Sequence, residues 1–197
     1  MNNHLIDIAQ IVAVSEVNGP GKRAVIWVQG CHKRCPGCWN QDYLKFSSVW
    51  QLTAQNLFDT VKRMTADFMD IEGITFSGGE PFAQAEAVAD AAVLFKENNL
   101  TIMSYSGYTL AEIQRNDKGQ SKLLAVLDIL VDGEYVKEQH CDRLWRSSLN
   151  QKVHFLSDHY KSFEDSINAD VREFEVVLSA NETRMTGFPK DELIPKI

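Results

Sequence analysis

Six short runs of apolar, largely β-branched residues punctuate the chain at 24–29, 73–77, 100–105, 129–131, 153–156 and 174–178. Each is bounded by turn-forming residues, and their length and composition predict β-strands. Between the first two, Thr53 is placed to cap a helix in which Leu57, Val61 and Met64 recur at spacings of four and three, giving one apolar face. Val88, Ala91, Ala92 and Phe95 form a similar stripe after the second strand. After the third, Thr109 and Glu112 have capping-box spacing, so each side chain can satisfy the other's backbone amide as Leu110 and Ile113 enter a helix. Strand and helix therefore alternate, which predicts a mainly parallel sheet with crossover helices and functional loops at the carboxyl ends of the strands. A complete eight-fold barrel takes about 250 residues, and this chain has 197. The expected architecture is thus α/β, a partial, open (β/α) barrel of about six mostly parallel strands. No repeat, low-complexity tract or linker marks a boundary, so residues 1–197 are expected to form a single domain with an irregular tail from about residue 181.

Composition narrows the function. With 44% hydrophobic and 24% charged residues the chain is of ordinary globular type, which excludes disorder and collagen-like fibre. Its 20 Lys and Arg against 27 Asp and Glu leave a formal charge of -7. Such a chain gains little from counterion release on phosphate backbones, so no nucleic-acid partner is expected. No stretch reaches the roughly 18 apolar residues of a spanning helix, and residues 1–10 lack a basic leader, so a cytoplasmic protein without a membrane partner is expected. Four cysteines in a reducing compartment point to metal or redox chemistry rather than to a disulfide framework.

Three of the four lie together in Gly30-Cys31-His32-Lys33-Arg34-Cys35-Pro36-Gly37-Cys38-Trp39-Asn40, directly after the first predicted strand. The C-x3-C-x2-C spacing lets three thiolates converge on one centre, with Pro36 and Gly37 supplying the turn between the last two. Structural zinc takes four closed positions, and here His32 or the distant Cys141 would have to complete the set. An iron-sulfur cluster is normally held by four thiolates, so three would leave one iron open to an exogenous ligand, and thereby to chemistry.

This spacing resembles the signature of radical S-adenosylmethionine enzymes. The resemblance implies that Cys31, Cys35 and Cys38 hold a [4Fe-4S] cluster whose fourth iron binds S-adenosyl-L-methionine. Ser77-Gly78-Gly79-Glu80-Pro81, following the next predicted strand, looks like the family's cosubstrate-binding turn: glycines permit close backbone approach and a carboxylate can pair with an ammonium. From about Gly19 to Gln151 the chain is similar to the anaerobic ribonucleotide reductase activating proteins. Shared features include Gly19-Pro20-Gly21, Arg23, the cysteine loop, Ser106-Gly107-Tyr108-Thr109-Leu110 and Val131-Asp132-Gly133. Two departures stand out: Glu134 follows Asp-Gly where the family commonly has proline, and Ser147 replaces a glycine in Arg146-Ser147-Ser148-Leu149-Asn150-Gln151.

The resemblance further implies a glycyl-radical-generating oxidoreductase whose partners are an anaerobic ribonucleotide reductase and an electron donor such as flavodoxin or ferredoxin. Trp39 is then placed to cover the cluster or adenine, against the alternative of a core tryptophan. Tyr105 and Ser106 are assigned to the cosubstrate pocket, and Asp132 to pocket or turn. His32, Lys33 and Arg34 either favour the reduced cluster and steer the donor or are solvated loop charges. Arg143, Arg146, Asn150 and Gln151 are candidates for contacting a cosubstrate carboxylate or a partner backbone. Cys141 is read as a small, partly buried side chain without a role, and His4, His140, His154 and His159 as structural. Competing functions are a radical enzyme acting on a small metabolite such as a deazapurine precursor, and a non-catalytic zinc protein.

Overall fold

The structure, a computed structural model, describes residues 4–115, 118–170, 173–178 and 183–187. Its strands are β1 (Leu5–Ser15), β2 (Lys22–Val28), β3 (Gln51–Thr53), β4 (Ile71–Gly78), β5 (Thr101–Ser106), β6 (Ile129–Asp132), β7 (His140–Arg143), β8 (Arg146–Ser148), β9 (Lys152–Phe155), β10 (Phe174–Leu178) and β11 (Thr183–Gly187). Helices α1 (Ala54–Met64), α2 (Ala85–Glu97), α3 (Leu110–Arg115) and α4 (Lys118–Leu124) are interleaved with them. Seven strands form one open sheet in the order β3-β1-β2-β4-β5-β6-β9.

All six predicted strands exist, but they do not all run in parallel within one sheet. Only β2, β4, β5 and β6 are mutually parallel. β9 closes one side antiparallel to β6, and β10 leaves the sheet to form a hairpin with β11. Thr183–Gly187 being a strand also corrects the expected irregular tail, while 181–182 and 188–197 lie outside the described residues. On the other side β1, absent from the predicted elements, pairs antiparallel with both β2 and β3. Its signal was the alternation of Ile6 and Ile8, both buried, with Leu5 and Asp7.

Successive side chains on a strand face opposite ways, and the core divides accordingly. On one face Ile26, Phe76, Ile102 and Leu130 pack against Leu57 and Val61 of α1 and Val88, Ala91, Ala92 and Phe95 of α2. Thr53 caps α1 by accepting the Asn56 amide, as its spacing predicts. Met64, the last residue of the predicted stripe, is largely outside the contact at 38% exposure. α2 buries Ala85, Ala87 and Ala89 as well, because the small side chains let it sit between α1 and α4 as well as on the sheet. On the other face Met103, Ile129 and Val131 pack against Trp145 and Tyr160 from the segments after β6.

At the amino ends of the parallel strands lies Arg23, fully buried on β2. Its Nε donates to Thr75 Oγ1 at 2.8 Å, and its two terminal nitrogens donate to Ile74 O, Thr101 O, Thr101 Oγ1, Pro20 O and the Tyr160 hydroxyl at 2.8 to 3.3 Å. Burial lowers its pKa from the usual guanidinium value, while Tyr160, Asp128 and Glu72 act the other way. One side chain thereby joins β2, β4, β5 and the Asp158–Phe163 turn. Because carbonyls left unpaired in the interior cost about 1–3 kcal/mol each, Arg23→Met is expected to destabilise the apoprotein by about 3 kcal/mol or more. Tyr160→Phe, which removes one partner, should cost about 1 kcal/mol. Urea denaturation measures both, and an Arg23→Met chain as stable as the parent would show that the network contributes nothing net.

Candidate active site

The four parallel strands end side by side, and the loops leaving β2, β4, β5 and β6 surround a cleft of about 900 Å³. Cys31, Cys35 and Cys38 all line it, and all are free thiols. Cys31 is buried, whereas Cys35 and Cys38 are half-buried. The sequence dictates the loop locally. Proline presets the first central position of a β-turn and glycine accepts the left-handed second one; here Gly37 has φ 76° and the Cys38 amide donates to Cys35 O at 3.1 Å. The start of the loop is fastened to the 41–44 turn, with Gly30 N donating to Tyr43 O and Cys31 N to Leu44 O.

The Gly-Gly-Glu turn is joined to the cysteine loop through backbone. Gly79 N donates to Val28 O and Glu80 N to Gly30 O, each at 2.8 Å. A β-carbon on Gly79 would come within 2.3 Å of Gly30 O. Its missing side chain therefore serves, first, the approach of the neighbouring loop.

Glu80 is 1% exposed, and its carboxylate gathers three donors: Phe82 N at 3.0 Å, Ser106 Oγ at 2.9 Å and Gly107 N at 2.7 Å. Burial raises its pKa to about 7 in spite of these hydrogen bonds and of Lys33. The side chain thus ties the end of β4 to the end of β5 while presenting its charge to the cleft. Tyr105 also lines the cleft, and its hydroxyl is buried without a hydrogen-bond partner, its pKa raised by burial. Ser77, Gly78 and Ser106 line the same wall. Trp39 borders the opening at 50% exposure, so it is not a core tryptophan.

The donor chemistry suits an iron-sulfur centre: three thiols on one loop within one partly closed cleft. Cys35 and Cys38 have thiol pKa values raised by burial, and the neighbouring sulfurs raise them further, which reflects their closeness. Among the described residues no three His, Cys, Asp or Glu side chains converge on a single-ion site. His32 packs against Phe46 with the rings tilted by 40° and their centroids 4.5 Å apart.

Residues 17–154 match the family model described as a 4Fe-4S single cluster domain. Over 78% of this chain and 97% of the relative, the chain is 35% identical to the anaerobic ribonucleoside-triphosphate reductase-activating protein of Vibrio cholerae. It belongs to this family of reductase-activating proteins. The Haemophilus influenzae and Escherichia coli relatives of the same name are 34% and 30% identical, over 70% and 79% of this chain and 90% and 99% of theirs. Among solved structures, QueE from Escherichia coli aligns with 54% of this chain and 53% of its own at 14% identity and a TM-score of 0.41, too loose a likeness to carry an argument. No helix among the described residues is long and apolar enough to cross a membrane.

Within this family member, several candidate residues hydrogen-bond to the frame around the cleft, which Gln151 also lines. Asp132 caps α3 by accepting the Leu110 amide and lies 3.1 Å from His154 Nε2, in a depression beside the cleft. Burial raises its pKa, but His154 and the Leu110 amide outweigh that and hold it low. The capping box on the same helix forms, Thr109 N donating to Glu112 Oε2 and Glu112 N to Thr109 Oγ1. Arg146 donates to Ile167 O, Asn168 Oδ1 and Gln151 O, and Arg143 pairs with Asp170, so both hold the 164–170 segment. Asn150 and Gln151 donate to Glu134 O and Gly133 O, bracing the end of β6. Ser147, in place of glycine, causes no strain: the left-handed residue here is Trp145, at φ 56°. Cys141 sits on β7 between His140 and Asp142, which line the cleft, so its side chain points the other way.

Lys33 is not a solvated loop charge. Its ammonium lies 2.8 Å from Glu134 Oε1, 3.6 Å from Glu112 Oε1 and 4.5 Å from the Tyr108 ring centroid. Sequence reasoning also missed Met185, Thr186 and Gly187, which reach the cleft from β11; Asn18 Nδ2 donates to Thr186 Oγ1 at 2.9 Å and Glu16 N to Glu175 Oε1 at 2.7 Å, holding the hairpin there.

The buried Glu80 makes stability depend on pH. A carboxyl whose folded pKa lies above its unfolded value favours the folded state below the unfolded pKa, and that contribution is lost as pH rises to the folded one. Between about pH 4.5 and 7 the apoprotein is therefore expected to lose on the order of 3 kcal/mol from this group. Asp128 and Asp132, whose pKa values are lowered, act below that window. Glu80→Gln should flatten the slope in denaturation experiments run across this range; equal slopes in variant and parent would contradict the assignment.

Proposed function

We propose that this chain is a radical S-adenosylmethionine activase that reductively cleaves its cosubstrate and generates a glycyl radical on an anaerobic ribonucleotide reductase. The observation that carries this is the convergence of Cys31, Cys35 and Cys38 on one cleft beside the Gly78-Gly79-Glu80 turn, in a member of the reductase-activating family. That membership favours the activase over an enzyme acting on a free metabolite.

Cys31, Cys35 and Cys38 would hold the [4Fe-4S] cluster. When bound, the cluster would supply the one electron needed for reductive cleavage of S-adenosyl-L-methionine to methionine and a 5'-deoxyadenosyl radical, which would take a hydrogen atom from a glycine of the reductase. The chain supplies orientation and exclusion of water. Carbonyls of Ser77, Gly78 and Gly79 would accept the methionyl ammonium, with the Glu80 charge behind them; a cation there would keep that carboxylate ionised. The unpartnered Tyr105 hydroxyl and the Ser106 backbone would meet the nucleoside, and the half-exposed Trp39 would cover the opening. Asp132 acts at one remove, by holding α3. A low-potential one-electron carrier such as flavodoxin or ferredoxin would supply the electron.

Anaerobically reconstituted protein is expected to give a reduced-cluster electron paramagnetic resonance signal that shifts with S-adenosyl-L-methionine, and a glycyl doublet only when the reductase is added. Cys31→Ala, Cys35→Ala and Cys38→Ala should each lose most cluster iron and all of the doublet. A cluster retained in full after all three cysteines are changed to serine would refute the ligand assignment. A cosubstrate-dependent shift without a doublet would refute the choice of partner.

A further inference from the structure

Two loops that meet at the cleft are joined by a pair of opposite charges the proposed chemistry has not used. Lys33 projects from the cysteine loop, two residues after Cys31 and two before Cys35, and Glu134 from the segment after β6. The Glu134 carboxylate is divided between two neighbours: Oε1 is 2.8 Å from Lys33 Nζ, and Oε2 is 3.9 Å from Cys35 Sγ. The adjacent Tyr135 amide also bonds to Cys35. Lys33 is further engaged by Glu112 and the Tyr108 ring, leaving its side chain 17% exposed, whereas Glu134 is 46% exposed. A lysine with three partners from two segments is held in place, unlike an ordinary surface lysine, whose single pair contributes little.

This arrangement sets the Glu134 carboxylate beside the Cys35 sulfur, with the Lys33 ammonium on the carboxylate's other oxygen. An anion beside a group that is about to gain an electron disfavours the gain, and a cation favours it. In a partly closed cleft that influence is larger than at an open surface, though salt still weakens it where Glu134 meets solvent. Lys33 also draws on Glu134 Oε1, so the pair fixes where the carboxylate stands relative to Cys35.

We propose that Lys33 and Glu134 form a charge clamp that positions the cysteine loop against the end of β6 and sets the reduction potential of the centre bound at Cys35, Glu134 lowering it and Lys33 raising it. The proposal rests on Cys35 being a cluster ligand. Neither residue touches the reacting atoms; both are positioning residues.

The test is an anaerobic redox titration, followed by electron paramagnetic resonance, of the reconstituted full chain and of E134Q, K33M, K33R and the double variant K33M/E134Q. Folding is checked first by circular dichroism, and iron and sulfide are counted. The midpoint potential is expected to rise in E134Q, fall in K33M, lie between those two in the double variant and stay near that of the parent in K33R. Raising the salt concentration should shrink each shift, which a purely structural effect would not do. Should K33M fail to take up a cluster, E134Q and K33R carry the comparison. Coincident potentials in parent and E134Q, or shifts of the same sign in E134Q and K33M, would overturn the clamp while leaving the ligand assignment standing. A parent chain that binds no iron-sulfur cluster would bring down both.

Discussion

The cleft depends on a contact between two stretches of backbone. Gly79 N and Glu80 N donate to Val28 O and Gly30 O, and the space between the loops is too small for a β-carbon at Gly79. Two chain segments separated by some fifty residues are thereby locked at a fixed distance. Everything that lines the cleft is referred to that lock. The cysteine loop lies on one side of it, and Glu80, reaching on to Ser106 and Gly107, lies on the other. A hydrogen-bonded backbone pair is a stiff joint because neither partner has a rotamer to change.

The parallel strands are held at both ends by buried polar groups of opposite sign. Arg23 gathers β2, β4 and β5 at their amino ends, with carbonyls and hydroxyls as its hydrogen-bond partners. Glu80 joins β4 and β5 at their carboxyl ends through amides and a hydroxyl. Apolar packing between strand and helix is nondirectional and tolerates small slips, whereas these groups do not: each loses several hydrogen bonds if one strand slides past its neighbour. Burial of a charge is costly in itself. Its return is alignment of the strand ends, and the loops inherit that alignment.

Much of this was legible in the sequence, because it depends on local signals. Short apolar, β-branched runs between turn residues identified all six strands, helical stripes gave the faces of α1 and α2, Thr53 and the Thr109–Glu112 pair marked helix starts, and Pro36-Gly37 marked the turn between cysteines. Less local features were hidden. The direction of β9 and the departure of β10 from the sheet depend on which edge is free once other strands have paired, and no segment encodes that by itself. Lys33 looked like a solvent charge because its partners, Glu112 and Glu134, lie about eighty and one hundred residues away. Asp132, Arg143 and Arg146 sit near the site in the chain, yet their hydrogen bonds run to a helix start and to the 164–170 segment. Polar residues beside a motif do not reveal whether they face a ligand or hold the frame.

The hairpin of β10 and β11 divides the molecule in another way. The family match ends at residue 154, yet Met185, Thr186 and Gly187 form part of the cleft wall. Floor and wall are thus written in different portions of the chain. The floor, made of the cysteine loop and the glycine turn, cannot change without disturbing its own backbone lock. The wall is held instead by the segment between β1 and β2, through Asn18 to Thr186 and Glu16 to Glu175. A change confined to the hairpin would therefore reshape the entrance while leaving the lock beneath it intact, whereas the stretch between, which carries Tyr160, belongs to the core and to the Arg23 network.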